Sequence, residues 1–213
     1  MRNLFTISGF LFFANFLIAQ SGEWRVLSGV KISSKWDSNI PYSPTDADVP
    51  YVSYQHKSII CNSVSAIYTS KLSPHVDWNL GFHFNNKGFK QLEKHWSEMA
   101  VSNLEKNKIQ YYSGILMGLR YNCFEKNTWK LSAEVFINPE INIRKYDYLK
   151  RIGISSIAQL SIEKHITKQI KLTFNPFFET ALIAYNKKQV KLYEEYIPYG
   201  YGLMAGIKYN ISK

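Results

Sequence analysis

Hydrophobic and polar residues alternate along most of this chain with a period of two. The last segment shows the pattern well, because Tyr, Leu, Ala and Ile occupy every second position and Gly, Met, Lys and Asn lie between them. Such alternation predicts β-strands with one apolar and one polar face. The segments that follow it are residues 24–36, 57–72, 75–85, 108–123, 129–143, 152–166, 170–185 and 199–211.

The connections between these eight segments alternate between long and short. The short ones are residues 73–74, 125–128 and 167–169, and the long ones are residues 37–56, 86–107, 144–151 and 186–197. Transmembrane barrels have short periplasmic turns, longer outer loops and an even number of strands. The sequence therefore predicts an all-β fold, an eight-stranded antiparallel up-and-down transmembrane β-barrel with both termini in the periplasm.

The start of the chain has the pattern of a cleavable signal peptide. A basic residue precedes an apolar run over residues 10–19, and the small Ala19 is followed by Gln20. We expect residues 1–19 to be a signal peptide and residues 20–213 to form the outer-membrane β-barrel domain. After Gln20 no apolar run reaches the ~18 residues of a spanning helix, so the mature chain can cross a membrane only with strands.

Composition and charge refine this picture. Aromatic residues make up 15% of the chain, which suits the aromatic girdles of a membrane barrel. The formal net charge is +10, but the Lys and Arg residues are scattered and form no single stripe, so nucleic acid is not an expected partner. A basic surface that meets anionic lipid head groups is the preferred interpretation. Cys61 and Cys123 fall near opposite ends of the predicted barrel, and we expect both to be free thiols.

Alternation alone leaves open which face of the strands points outward. A lipocalin-like secreted ligand binder also has eight strands, but its apolar face lines the interior. The tripeptide Gly22-Glu23-Trp24 at the first strand matches the G-x-W of that class. The segments are longer than the ~9–11 residues that cross a bilayer, which favours the membrane barrel.

Three stretches carry a resemblance to a known family. They are residues 75–90 (HVDWNLGFHFNNKGFK), 109–136 (IQYYSGILMGLRYNCFEKNTWKLSAEVF) and 202–212 (GLMAGIKYNIS). They resemble the PorT-like outer-membrane β-barrel proteins of Bacteroidetes, a family that includes components of protein secretion. The resemblance implies a non-enzymatic protein of the outer membrane that serves envelope structure or secretion- and transport-associated interactions.

The predicted outer-membrane barrel implies a set of partners. They are outer-membrane lipid or lipopolysaccharide, the outer-membrane insertion machinery, and other envelope or secretion proteins. Tyr209, near the end of the last strand, is the aromatic residue that the insertion machinery would read.

The polar faces of the predicted strands contain charges of both signs. An eight-stranded barrel is just wide enough for its own side chains, and buried charges are tolerated there only when they are paired. Folding about residues 125–128 sets Arg120 near Glu134, with Asp77 on the other side. Folding about residues 167–169 sets Glu163 near Lys171. We predict a structural ion network that plugs the lumen.

The sequence gives little support for a reaction centre. His75 and His83 share a face with Asp77, but the eight-residue separation of the histidines is too long for one metal at ~3.3 Å per residue. No metal, cofactor or catalytic residue is therefore expected. A lipid A-modifying enzyme of the deacylase or acyltransferase type remains an alternative, with His56 and Ser58 as an H-x-S pair on one strand face.

The long connection over residues 86–107 is the richest predicted surface. It mixes Lys and Glu with Phe89, Trp96 and Met99, and we expect part of it to be helical. Two interpretations remain open. The aromatic residues contact a partner or lipopolysaccharide, or they fold onto the rim of the barrel.

Overall fold

Strands form wherever the alternating pattern runs. The structure, a computed structural model, describes residues 22–36, 52–97, 100–144, 150–185 and 197–211. Within these residues the strands are β1 (Gly22–Trp36), β2 (Val52–Lys57), β3 (Ile59–Lys71), β4 (Val76–Ser97), β5 (Ala100–Lys126), β6 (Trp129–Asn142), β7 (Ile152–His165), β8 (Ile170–Ala181) and β9 (Ile197–Ile211).

Eight of the strands close into a single antiparallel barrel. The order is β3-β1-β9-β8-β7-β6-β5-β4, and β4 pairs back with β3 to complete the ring. The eight-stranded antiparallel barrel predicted from the sequence is thus confirmed. The short β2 is an additional strand that pairs with β4. Most of it lies in the predicted long connection over residues 37–56, so the expectation of a loop is wrong for residues 52–56.

The barrel is strongly tilted. A path that starts at Glu23 in β1 and passes from each residue to its partner in the next strand returns to β1 at Ser33. The path is thus displaced by ten residues after one circuit of the ring. With ordinary strand spacings this stagger inclines the strands by about 40° to the axis and places their Cα atoms about 8 Å from it. The interior therefore has room for side chains and little else.

The apolar faces of the strands point outward. Large hydrophobic side chains such as Val135, Leu119 and Ile207 are more than half exposed, while the residues between them are buried. Gly22 pairs with Ile211, so the two described ends of the chain lie together at the end of the short turns. The outward orientation that we predicted is confirmed. The lipocalin alternative, with its apolar face inside, is wrong.

The short turns lie where the sequence predicts them. They connect β3 to β4 through residues 72–75, β5 to β6 through residues 127–128, and β7 to β8 through residues 166–169. Asn127 adopts a positive φ of 55°, which two-residue hairpin turns require and which asparagine tolerates better than most residues. We call this the turn end of the barrel and the opposite end the loop end.

The predicted loop over residues 86–107 is instead a long hairpin. β4 and β5 remain paired from Val76 and Tyr121 as far as Ser97 and Ala100. The prediction of a partly helical loop is wrong, because the backbone of these residues is satisfied by cross-strand pairing. No helix in the described parts of the chain is long and apolar enough to span a membrane.

This hairpin carries a small sheet past the loop end of the barrel. β5 pairs with β6 only from Tyr112 onward, so residues 100–110 of β5 pair with β4 alone among the described residues, and β2 flanks β4 on its other side. We call β2 with residues 90–97 and 100–107 the projecting sheet. The pairing of β2 with β4 ends at Lys57 and Lys90, and the pairing of β3 with β4 begins at Ser63 and Asn85. Between these two points the five residues 58–62 lie opposite only the four residues 86–89 of β4. This one-residue mismatch is a bulge, which bends a strand, at the point where the wall passes into the projecting sheet.

The signal peptide predicted over residues 1–19 lies outside the described residues. So do residues 37–51, 145–149 and 186–196 of the predicted long connections.

Candidate functional site

The lumen is the part of the barrel where the sequence places its charged residues. Inward-facing side chains are separated by two positions along each strand, and the tilt of the barrel sets residues of distant strands beside each other. Cations and carboxylates, most of them buried, therefore meet across the interior. They form two networks separated by an apolar layer.

The turn-end network is built around Glu134. Its carboxylate accepts two hydrogen bonds from Arg25, at 2.7 Å from Nη1 and 2.6 Å from Nη2. Arg120 Nε lies 3.8 Å from Glu134 Oε1 and 4.0 Å from Asp77 Oδ2. Arg120 of β5 lies between Glu134 and Asp77, because it is directly opposite Asp77 of β4 on one side and Glu134 of β6 on the other. Bidentate pairs such as that of Arg25 with Glu134 are among the stronger hydrogen bonds in proteins.

The same network continues to the mouth of the turn end. Arg120 Nη2 lies 2.7 Å from Glu163 Oε1, and Lys208 Nζ lies 3.1 Å from the same oxygen. Lys208 also pairs with Glu23. The cations and carboxylates of this network therefore form a continuous chain across the lumen.

The predicted contact between Glu163 and Lys171 is not present. The register of β7 and β8 sets Glu163 opposite Thr173, and Lys171 opposite His165. Lys171 Nζ instead lies 2.5 Å from Glu23 Oε1. The pair predicted within one hairpin is wrong, since Lys171 is closer to a carboxylate that reaches it from β1.

An apolar layer closes the middle of the lumen. It consists of buried side chains at inward positions between the charged ones, and we call it the apolar belt. Its members among the described residues are Leu27, Ile67, Leu116, Phe136, Ile157, Phe177 and Met204.

The alternating pattern did not predict this belt. Its only signal was an isolated apolar residue in the polar face of nearly every strand. In β4 the matching position is Gly81, which pairs with Ile67 and Leu116. A Cβ at Gly81 would lie 2.9 Å from Ile67 Cα, so the close approach of the two strands requires glycine there.

The loop-end network lies beyond the belt. Glu179 pairs with Lys31, and its Oε1 lies 2.8 Å from Lys87 Nζ. Lys87 also pairs with Glu140, which accepts a hydrogen bond from the Tyr185 hydroxyl. Burial raises the pKa of Tyr185, and the neighbouring Glu140 raises it further, so the phenol remains a hydrogen-bond donor. Because Lys87 lies in the segment predicted as a loop, its pairing with Glu140 and Glu179 was not predicted.

Aromatic side chains cover the loop-end network. Phe89, Tyr112, Ala181 and Tyr185 form a buried cluster, and Lys87 Nζ lies 5.2 Å from the ring centroid of Tyr112 and 5.3 Å from that of Tyr185. Cations over aromatic faces are stabilised in this geometry. The cluster closes the mouth of the lumen on the side of the projecting sheet.

The three predicted contact residues of the segment 86–107 have separate positions. Phe89 is 8% exposed and its ring lies 5.0 Å from that of His56. This position agrees with the interpretation in which the aromatic residues fold onto the rim of the barrel. Trp96 lies in β4 opposite Val101. Met99 lies outside the described residues.

The remaining candidate ligands are dispersed. His83 Nδ1 lies 2.7 Å from Ser65 Oγ inside the barrel, whereas His75 is exposed at the turn end. Within the described residues no three His, Cys, Asp or Glu side chains are grouped as metal ligands. Cys61 is buried and Cys123 is exposed, and both are free thiols.

Comparisons with known proteins place the barrel among solved structures. No protein-family model and no curated protein matches the sequence. Neisserial surface protein A (NspA) is 10% identical, with a TM-score of 0.50 over 88% of this chain and 97% of that protein. The outer membrane protein OprG from Pseudomonas aeruginosa is 9% identical, with a TM-score of 0.48 over 91% of this chain and 98% of OprG. At such identities the likeness to NspA concerns the fold alone.

The outer membrane protease OmpT from Escherichia coli is a further similar structure. It is 10% identical, with a TM-score of 0.47 over 90% of this chain and 97% of the protease.

Removal of the carboxylate at the centre of the turn-end network tests its energetic role. We expect Glu134→Gln to lower the free energy of unfolding by about 3–5 kcal/mol, because it leaves the buried guanidinium of Arg25 without its counter-charge and removes one of the carboxylates around Arg120. Glu125→Gln is the matched control, since that side chain is 60% exposed and lies 3.8 Å from Lys130. Its expected cost is about 0–1 kcal/mol. Urea unfolding in lipid vesicles measures both, and equal costs would contradict the network.

Proposed function

We propose that this protein is an integral outer-membrane β-barrel that neither conducts ions nor catalyses a reaction. The observation that supports this most is the apolar belt, which fills the lumen between two charge-paired networks while the exterior is apolar. Its role is to hold the projecting sheet at the cell surface for envelope structure or for secretion- and transport-associated interactions.

The membrane location rests on the exterior of the barrel. Exposed hydrophobic side chains surround it, and a contiguous apolar surface of that size belongs in hydrocarbon. The closed ladder leaves no strand edge in the wall, as a bilayer requires. In this location the turn end and both termini lie in the periplasm, residues 1–19 are a cleaved signal peptide, and the loop end faces outward.

The closed lumen rests on the order of its layers. An ion that enters from the turn end meets the paired charges of Arg25, Arg120 and Glu134, and then the apolar belt. Transfer of a charge into such an apolar layer costs many kcal/mol unless a partner is present. The aromatic cluster at the loop end adds a further closure. A barrel built this way anchors other parts of the protein and does not transport through its axis.

The projecting sheet is the part of the molecule that extends beyond the barrel. It is rich in lysine and has strand edges that pair with no other described strand. Such edges are sites where another chain can add a strand. This agrees with a PorT-like role, in which the partners are other envelope or secretion proteins.

The lipid A-modifying alternative has less support from the geometry. The His56 ring is packed against Phe89, and Ser58 lies exposed between β2 and β3. We therefore propose that the protein is not an enzyme.

The closed lumen predicts a low conductance that depends on the belt. We expect wild-type protein in planar bilayers to show no stable large conductance. The double variant Phe136→Ala and Phe177→Ala removes two large belt side chains, and we expect it to conduct. The control is Val135→Ala with Phe178→Ala, the neighbouring outward positions, which leaves the lumen filled. Stable large conductance of the wild type, or the same traces for both variants, would contradict the proposal.

A deletion strain tests the non-enzymatic role. We expect the protein in wild-type cells to fractionate with the outer membrane and to show heat-modifiable gel mobility. Deletion should change the set of surface proteins and leave the mass spectrum of lipid A unchanged. An altered lipid A mass that wild-type protein restores and His56→Ala does not would instead establish the enzymatic alternative.

A further inference from the structure

Cations lie on the outward surface of the barrel just beyond its apolar band at the loop end. Arg144 follows β6, and its backbone N–H donates to Asn142 Oδ1 at 3.0 Å. Its guanidinium carbon lies 5.2 Å from the ring centroid of Tyr111. Tyr111 is two positions from the exposed Ser113 and four from Ile115, so its ring is on the outward face. Arg144 is thus held over an outward aromatic ring.

This arginine has no acidic partner among the residues that the structure describes. A guanidinium that stacks on a ring keeps its N–H groups free at its edge, where they match the oxygens of a phosphate bidentately. The exposed Arg144 therefore presents a fork of donors toward whatever lies beside the barrel.

A second cationic group lies on the same outward surface. Lys57 in β2 is directly opposite Lys90 in β4, and like charges in that position destabilise a sheet. Glu105 pairs with Lys90, and the hydrogen bond from Lys90 lowers the pKa of Glu105. Among the side chains that the structure describes at this place, one carboxylate faces two lysines, which leaves the group with an excess positive charge. An anion from outside the chain would relieve it.

The two cationic groups are a short distance apart. Lys90 is opposite Asn107 in β5, and Tyr111 is four residues further along the same strand. At the rise of a β-strand this separates the groups by about 13 Å. Exposed isoleucines adjoin these groups on the side of the turn end. The exposed fraction is 77% for Ile60, 50% for Ile141 and 56% for Ile143. The surface thus combines two anion sites with an adjoining area for acyl chains.

We propose that this surface binds a phosphorylated, multiply acylated glycolipid of the outer leaflet, the chemical class of lipid A. Arg144 holds one phosphate and the Lys57–Lys90 pair holds a second, while the acyl chains lie against the isoleucines. An acidic protein would use the cations but has no use for the apolar surface beside them. The inference rests on the proposed function, which places the loop end in the outer leaflet.

Native mass spectrometry of the full chain in detergent tests the site. The probes are bisphosphorylated lipid A, the same lipid without phosphates, and phosphatidylglycerol. We expect wild-type protein to retain bisphosphorylated lipid A in preference to the other two. Arg144→Gln, and Lys57→Gln combined with Lys90→Gln, should each weaken that retention about tenfold, the loss of one charge-assisted contact.

The matched control is Lys164→Gln. Lys164 Nζ lies 5.3 Å from the ring centroid of Trp129, the same kind of contact at the turn end, and its removal should leave lipid A retention unchanged. Equal retention by Arg144→Gln and wild type overturns the inference. So does equal binding of dephosphorylated lipid A or of phosphatidylglycerol.

Heat-modifiable mobility, recorded for every sample, separates this inference from the proposed function. A wild-type protein that lacks it would contradict the membrane barrel itself. Variants that keep it and still retain lipid A as the wild type does would contradict only the lipid site.

Discussion

The carboxylate of Glu134 lies between the guanidinium groups of Arg25 and Arg120, and all three side chains are fully buried. In a barrel whose exterior is apolar, a lumen charge without a partner costs several kcal/mol. The strand stagger brings these residues together although 109 positions separate Arg25 from Glu134. The narrow interior and the pairing of its charges therefore depend on each other.

The sequence predicted the barrel well, because alternation with period two and the alternation of short and long connections are local properties. It also set Arg120 near Glu134, since both flank one short turn. It could not predict the partner of Lys171, because Glu23 is 148 positions away and the contact depends on the stagger of the closed ring. The belt was equally hidden. A single Leu27 or Phe177 in a polar face gives no sign that its counterparts in other strands lie at the same height.

The segment 86–107 shows a different limit. Outside hydrocarbon neither face of a strand has to be apolar, so the pattern disappears where β4 and β5 leave the wall. The strands persist because the backbone N–H and C=O groups of each strand form hydrogen bonds with those of the other. The lysines of this region have two different environments. Lys87 is paired inside the closed lumen, whereas Lys57 and Lys90 lie opposite each other on the outward surface. Closure of the barrel and contact with the surroundings thus come from one hairpin.

In the proposed membrane location, outward side chains touch lipid chains while the belt and the charges face the interior. Methyl-labelled protein in nanodiscs allows a direct measurement, because nuclear Overhauser effects between isoleucine methyl groups and lipid acyl protons report contact without any substitution. We expect such effects for Ile115 and Ile137, which are about half exposed, and none for Ile67 and Ile157, which are buried in the belt. Lipid contacts at Ile67 and Ile157 with none at Ile115 and Ile137 would contradict this orientation of the strands.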